Sequence, residues 1–123
     1  MGIAQVIGCT GTSGGEMSET YAHILRLAEL GDVRVSDHGY DELAADGISA
    51  RECLASVRDG TVVEDYPEYP KGPCVLVLQT DRKGGPIHVL WGVPKGRSSP
   101  AVLVTAYRPD PKRWEADLLR RKT

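Results

Sequence analysis

The chain has 123 residues, 41% of them hydrophobic and 26% charged, with a formal net charge of −2. That length suits one compact domain and leaves no room for a second independent core. No apolar run approaches the roughly 20 residues of a membrane helix, and the first residues lack the basic start and long apolar centre of a secretory signal, so a cytoplasmic protein is expected.

The small net charge hides an asymmetry. Residues 1–69 hold thirteen acids and four bases, whereas residues 70–123 hold eleven bases and four acids. If the halves occupy different surfaces, a basic face for phosphates exists on a mildly acidic protein. If they interleave in space, the charges neutralise each other. Cys9, Cys53 and Cys74 are odd in number and form no C-x-x-C, and His23, His38 and His88 lie at no zinc-site spacing. Neither a metal nor a cofactor is expected, and Cys53 and Cys74 read as small buried hydrophobes.

At the amino end, Ile3 to Ile7 is a short apolar run followed by a Gly/Ser/Thr-rich stretch. Residues 1–17 are expected to be a flexible extension, with Met17 an alternative start, and residues 18–123 a single domain. Gly8, Gly11 and Gly14 mimic the opening of a dinucleotide-binding fold, and Val33 to Ser36 imitates a second strand ending at an acid, Asp37. The chain beyond residue 60 supplies no further βα units, which counts against nucleotide binding there.

Ser18 is a plausible cap for a helix carrying Tyr21, Ile24, Leu25 and Ala28 and stopped by Gly31. Asp32 to Ser36 is a brief extended run, and Ser36 caps a second helix through Ala45, ended by Asp46-Gly47. Ser49 and Glu52 form a capping box, with Ile48 and Cys53 placed for a hydrophobic staple; Leu54 and Val57 continue the stripe to Asp59-Gly60. The period then changes to two. Thr61 to Tyr66, Cys74 to Thr80, Ile87 to Val93 and Ala101 to Tyr107 predict four strands joined by turn-rich links, hence an antiparallel meander. The run Cys74 to Leu78 suits a strand buried on both faces. Trp114 to Arg121 predicts a short terminal helix. The expected fold is α+β: amino-terminal helices packed on a four-stranded antiparallel sheet, with a short carboxy-terminal helix.

Polar groups at strand centres need partners or a task. His38, with Tyr40 and Glu42, opens the second helix, where a capping or core role competes with catalysis. Glu64 shares a strand parity with Val62 and Tyr66, so one face there mixes acid and apolar groups; an exposed edge-strand acid is the plain alternative. His88 lies between Ile87 and Val89, with Leu90 and Gly92 on its own face, and is either catalytic or a brace between strands. Thr105 and Tyr107 share a parity and Arg108 follows. A tyrosine and an arginine beside a histidine suit phosphodiester chemistry, whereas structurally Tyr107 anchors the sheet and Arg108 pairs with Asp110.

Ser36-x-His38, Gly47-Ile-Ser49 and Asp59-Gly60-Thr-Val-Val-Glu64-Asp-Tyr66-Pro67 together resemble the bacterial domain-of-unknown-function family 4258. So do Lys71-Gly-Pro-Cys-Val-Leu-Val-Leu78, Pro86-Ile-His88-Val and Val104-Thr-Ala-Tyr-Arg-Pro-Asp-Pro111 with Trp114, over roughly residues 32–118. The family usually carries an arginine a few residues beyond the first histidine; this chain reads His38-Gly-Tyr-Asp-Glu42-Leu instead. The resemblance implies a fold similar to the RelE-like toxin nucleases, RNA as substrate and, for some members, a zinc-finger antitoxin as partner. The reading that follows is a metal-independent endoribonuclease toxin. Glu64 or His88 takes a proton from a ribose 2′-hydroxyl, His38 or Tyr107 protonates the leaving oxygen, and Arg108 stabilises charge, with Thr105 beside them. Lys112, Arg113, Arg120, Arg121 and Lys122 contribute backbone contacts. The rival is a non-catalytic interaction module whose acidic half docks a basic partner.

Overall fold

The computed structural model describes residues 9–11, 13–15 and 18–122, with the side chains of His38, Tyr40 and Glu42 outside the described residues. The apolar run Ile3 to Ile7 also lies outside them. A small antiparallel ribbon pairs β1 (Cys9–Gly11) with β2 (Ser13–Gly15). Gly11 and Gly14 therefore sit in a ribbon and not in the strand-to-helix turn that a dinucleotide site requires.

Among the described residues three α-helices follow. Helix α1 (Glu19–Leu30) is capped by Ser18, α2 (Asp37–Asp46) by Ser36 and α3 (Ala50–Ser56) by Ser49 in a complete capping box with Glu52. Gly31 and Gly47 end the first two in the left-handed conformation, which only glycine takes without a Cβ penalty. No helix among the described residues is long and apolar enough to cross a membrane.

The sheet corrects the expectation of four antiparallel strands. It has five, in the order β3-β7-β6-β5-β4. Strands β4 (Thr61–Tyr66), β5 (Cys74–Thr80), β6 (Pro86–Gly92) and β7 (Ala101–Tyr107) pair antiparallel in succession. The extended run after α1 becomes β3 (Val33–Val35) and pairs parallel with β7, making the sheet mixed. A parallel partner needs a long connection and leaves no local signal of its own, so nothing near residue 33 announces it. Strand β5 is an interior strand, with Cys74 through Val77 all buried.

The helices cover one face only. Ile24, Leu27, Leu43 and Cys53 pack there against Val75, Val77, Ile87, Val89, Trp91 and Leu103. Within this layer Gln79 donates to the carbonyl of Cys53 at 2.7 Å and accepts from the Trp91 indole at 2.8 Å, so the buried amide is satisfied. Tyr21 reaches the Val57 carbonyl at 2.6 Å, and burial pushes its phenol up to about 12. Helix α2 lies on β7 through Gly39, where a Cβ would come within 3.0 Å of the Leu103 and Val104 carbonyl oxygens.

The terminal helix predicted over Trp114 to Arg121 does not form. The segment is instead a looped strap closed by an isolated antiparallel bridge between Trp114 and Arg121. Asp110 and Asp117 capture the amides of Lys112 and Leu119 with their carboxylates, each at 2.9 Å, which competes with helical hydrogen bonding. Leu118 has φ 61°, left-handed and outside any helix.

Candidate functional site

Because Ile87, Val89 and Trp91 face the helices, His88, Leu90 and Gly92 project from the other side. Two bulges then decide which neighbours join them. On β4 the register shifts between Val62 and Glu64: Val62 pairs with Val77 and packs on the core, whereas Glu64 pairs with Leu76. The bulge thus resolves the parity conflict of that strand by turning Glu64 to the open face. On β7 the shift opposite Leu90 and Trp91 leaves Leu103 in the core and places Thr105 opposite Leu90 and Tyr107 opposite His88. Glu64, His88, Thr105 and Tyr107 thereby share one face, on which the strap lies.

His88 is completely buried there. Its Nε2 lies 2.8 Å from the Leu118 carbonyl oxygen and its Nδ1 3.4 Å from the Tyr107 hydroxyl. A carbonyl only accepts, so Nε2 carries the proton and Nδ1 of the neutral ring accepts from Tyr107. The Trp114 ring meets the imidazole edge-on at 4.4 Å. Burial holds the imidazole below its ordinary value, opposed by the Leu118 hydrogen bond and aided by the Arg121 charge. Burial also raises the Tyr107 phenol, which stays protonated at neutral pH.

Toward β4 the face becomes polar. Arg121 grips Glu64 with two hydrogen bonds of 3.0 Å, Nε to Oε2 and Nη2 to Oε1. The same guanidinium stacks over Trp114, 4.6 Å from the ring centroid. Tyr66 donates its hydroxyl to Glu64 Oε1. The Arg121 bonds hold the Glu64 carboxyl below the usual range, against burial and with help from Tyr66, while burial and Glu64 push the Tyr66 phenol up to about 12. The side chains of Arg121 and Glu64 remain 57% and 27% exposed, so water reaches this pair.

Arg108 belongs elsewhere. Its backbone N–H donates to Asp46 and its guanidinium to Asp81 at 2.8 Å, tying the end of β7 to α2 and to the β5–β6 turn. Its partner is Asp81, not Asp110, and the Arg108 bond is the main cause of the lowered Asp81 carboxyl. The His38 side chain lies outside the described residues. Of the expected backbone-contact cations, Arg121 sits in the cluster and Arg120 pairs with Asp117, whereas Lys112, Arg113 and Lys122 are exposed. Sequence reasoning left out Tyr66 as a site residue and placed Trp114 in a helix and in the family pattern but not in the site. Tyr66 was findable, since it stands two residues from Glu64 on the same strand.

The face therefore combines a carboxylate, a guanidinium and the Tyr66 phenol at a water-accessible margin on β4, with a second protonated phenol, Tyr107, on β7 beside a neutral histidine sealed under the strap. A carboxylate can accept a proton, a guanidinium can neutralise a phosphorane, and a phenol can release a proton to a leaving oxygen. No curated protein and no solved structure matches the chain. Residues 35–108, which hold all of β4 to β7 and the motifs around Glu64 and His88, match the model of the domain of unknown function DUF4258, and the chain belongs to that family.

Proposed function

We propose that the protein is a metal-independent endoribonuclease of the toxin type, RelE-like in fold and cytoplasmic, that cleaves RNA laid across the face opposite its helices. The observation supporting this reading is the half-exposed Glu64–Arg121–Tyr66 cluster, with Tyr107 on the same sheet face. Arg121 takes the charge-stabilising role that the sequence suggested for Arg108.

An arriving phosphate competes with Glu64 for the guanidinium. As Arg121 turns to the phosphate, Glu64 loses the cation that holds its pKa down and becomes a stronger base. It accepts the proton of the ribose 2′-hydroxyl, the 2′-oxygen bonds to phosphorus, and the bond from phosphorus to the 5′-oxygen breaks. Tyr107 turns its hydroxyl proton from His88 Nδ1 to that departing oxygen, releases it there, and regains a proton from Glu64 through solvent. The products are a 2′,3′-cyclic phosphate and a 5′-hydroxyl. His88 positions Tyr107 through Nδ1. Lys112, Arg113 and Lys122 add salt-sensitive attraction for the RNA backbone. A zinc-finger antitoxin is the partner that this reading assigns.

Purified protein in EDTA is expected to cut RNA and leave cyclic phosphate ends, with Glu64→Gln and Arg121→Ala each slower by on the order of a hundredfold or more. Absence of cleavage by the parent protein, or cleavage by both variants at the parent's rate, overturns the proposal. A second reading, a non-catalytic interaction module, draws support from the burial of His88 and the fixed Arg108. It expects folded protein, binding to a basic partner and no RNA cleavage.

A further inference from the structure

The contacts between the strap and His88 have a chemical composition of their own. Nε2–H donates to a carbonyl oxygen, that of Leu118, at 2.8 Å. A planar aromatic ring, that of Trp114, lies against the imidazole at 4.4 Å and is 3% exposed. A guanidinium covers that ring at 4.6 Å. A flat heterocycle with an exocyclic carbonyl and a face that stacks under a cation is also the description of a nucleobase.

We infer that the pocket under the strap is a subsite for one unpaired, carbonyl-bearing nucleobase, and that Trp114 and Leu118 fill it when no RNA is bound. This rests on the ribonuclease reading for its substrate class and adds the base preference. Tyr107 donates to Nδ1, which leaves Nε2 as a donor. Uracil and guanine present a carbonyl oxygen to such a donor, whereas adenine presents an amino group at the corresponding edge. A buried donor facing a donor is left unsatisfied, and that is a strong basis for rejection.

The strap is built to leave. Leu118, the residue whose carbonyl contacts His88, is a non-glycine held at φ 61°, a left-handed conformation that L side chains rarely adopt. The rest of the strap is fastened by the half-exposed Glu64–Arg121 pair, one bridge and turn hydrogen bonds. The phosphate that draws Arg121 from Glu64 also lifts the cation from Trp114, so chemistry and base entry share one trigger.

The test is fluorescence anisotropy in EDTA with labelled 2′-O-methyl pentauridine and pentaadenosine, which lack the attacking hydroxyl. Trp114→Leu, which removes the ring that occupies the subsite, is expected to bind the uridine oligomer about tenfold more tightly than the parent protein, because the base no longer has an indole to displace. The adenosine oligomer is expected to bind both proteins more weakly, and His88→Phe to equalise the two oligomers. A measurement on the unmodified protein guards against misfolded variants: uridine 5′-monophosphate shifts the His88 imidazole resonances and adenosine 5′-monophosphate does not. Equal binding of the two oligomers by the parent protein, or no gain in Trp114→Leu, overturns the subsite. RNA cleavage with no base preference defeats the subsite and leaves the ribonuclease standing. Base-selective binding without cleavage does the reverse, and no binding of either oligomer defeats both.

Discussion

Strand β6 carries two histories on its two sides. Ile87, Val89 and Trp91 are sealed by helices through apolar packing, and the polar Gln79 amide among them is satisfied by the Cys53 carbonyl and the Trp91 indole. His88, one residue away, is equally buried, but its cover is a looped strap held by a carbonyl, an aromatic edge and an ion pair that water reaches. Equal burial thus has unequal permanence. Apolar packing under helices is lost only with the fold, whereas a cover fastened by charges and one hydrogen bond responds to ligands, salt and pH.

The two tryptophans offer the bluntest way to break this comparison. Trp91→Ala empties the centre of the helical face and strands the Gln79 carbonyl, and is expected to cost about 3–5 kcal/mol in urea unfolding. Trp114→Ala should cost about 2 kcal/mol, since it loosens the strap and leaves the core intact. Equal losses would mean that the strap is part of the core and not a cover.

Acid should separate the faces next. The His88 pKa is below its ordinary value of 6.5 in the folded chain, so the unfolded chain binds more protons over that window. The stability it contributes is present above pH 6.5 and is lost as pH falls through the depressed value. Acrylamide quenching of Trp114 is therefore expected to rise as pH drops below 6.5, with Trp91 unreached. Glu64, lowered from 4.5, acts in the same sense further down the scale. A quenching curve that is flat from pH 7.5 to 5, or the same in His88→Gln, removes the imidazole from the strap's control.

The smallest effect expected is on stability in Arg121→Ala, about 0.5–1 kcal/mol, because the pair with Glu64 is screened by solvent. About 0.5 M salt should shrink the difference further. A loss several times larger would make Arg121 a structural clamp in place of a displaceable one.

Much of the framework was legible because its signals are local. Ser49 and Glu52 announced the capping box, Ile48 and Cys53 the buried residues on either side of it, and the turn residues between the strands the order β4 to β7. Non-local features were not. Strand β3 is three residues long and finds its partner far along the chain. The strap misleads for another reason: Trp114, Leu118 and Arg121 have helical spacing, but the Asp110 and Asp117 side chains bind nearby amides and divert the backbone. The site was half legible. Glu64, His88 and Tyr107 stand together, but the arginine beside them comes from the strap, and Arg108 is spent on Asp46 and Asp81.

The parallel pairing of β3 with β7 bears on how the protein is made. Ser36, at the exit of β3, hydrogen-bonds the Val104 carbonyl across 68 residues of sequence. During synthesis Val33 to Val35 thus emerge long before Ala101 to Leu103, and the edge they offer to β7 stays unpaired until residues 101–103 have been made. An open strand of this kind is a template for wrong pairing while it waits, and β7, the latest in sequence of the five strands of the sheet, is the one that joins β3 to the rest.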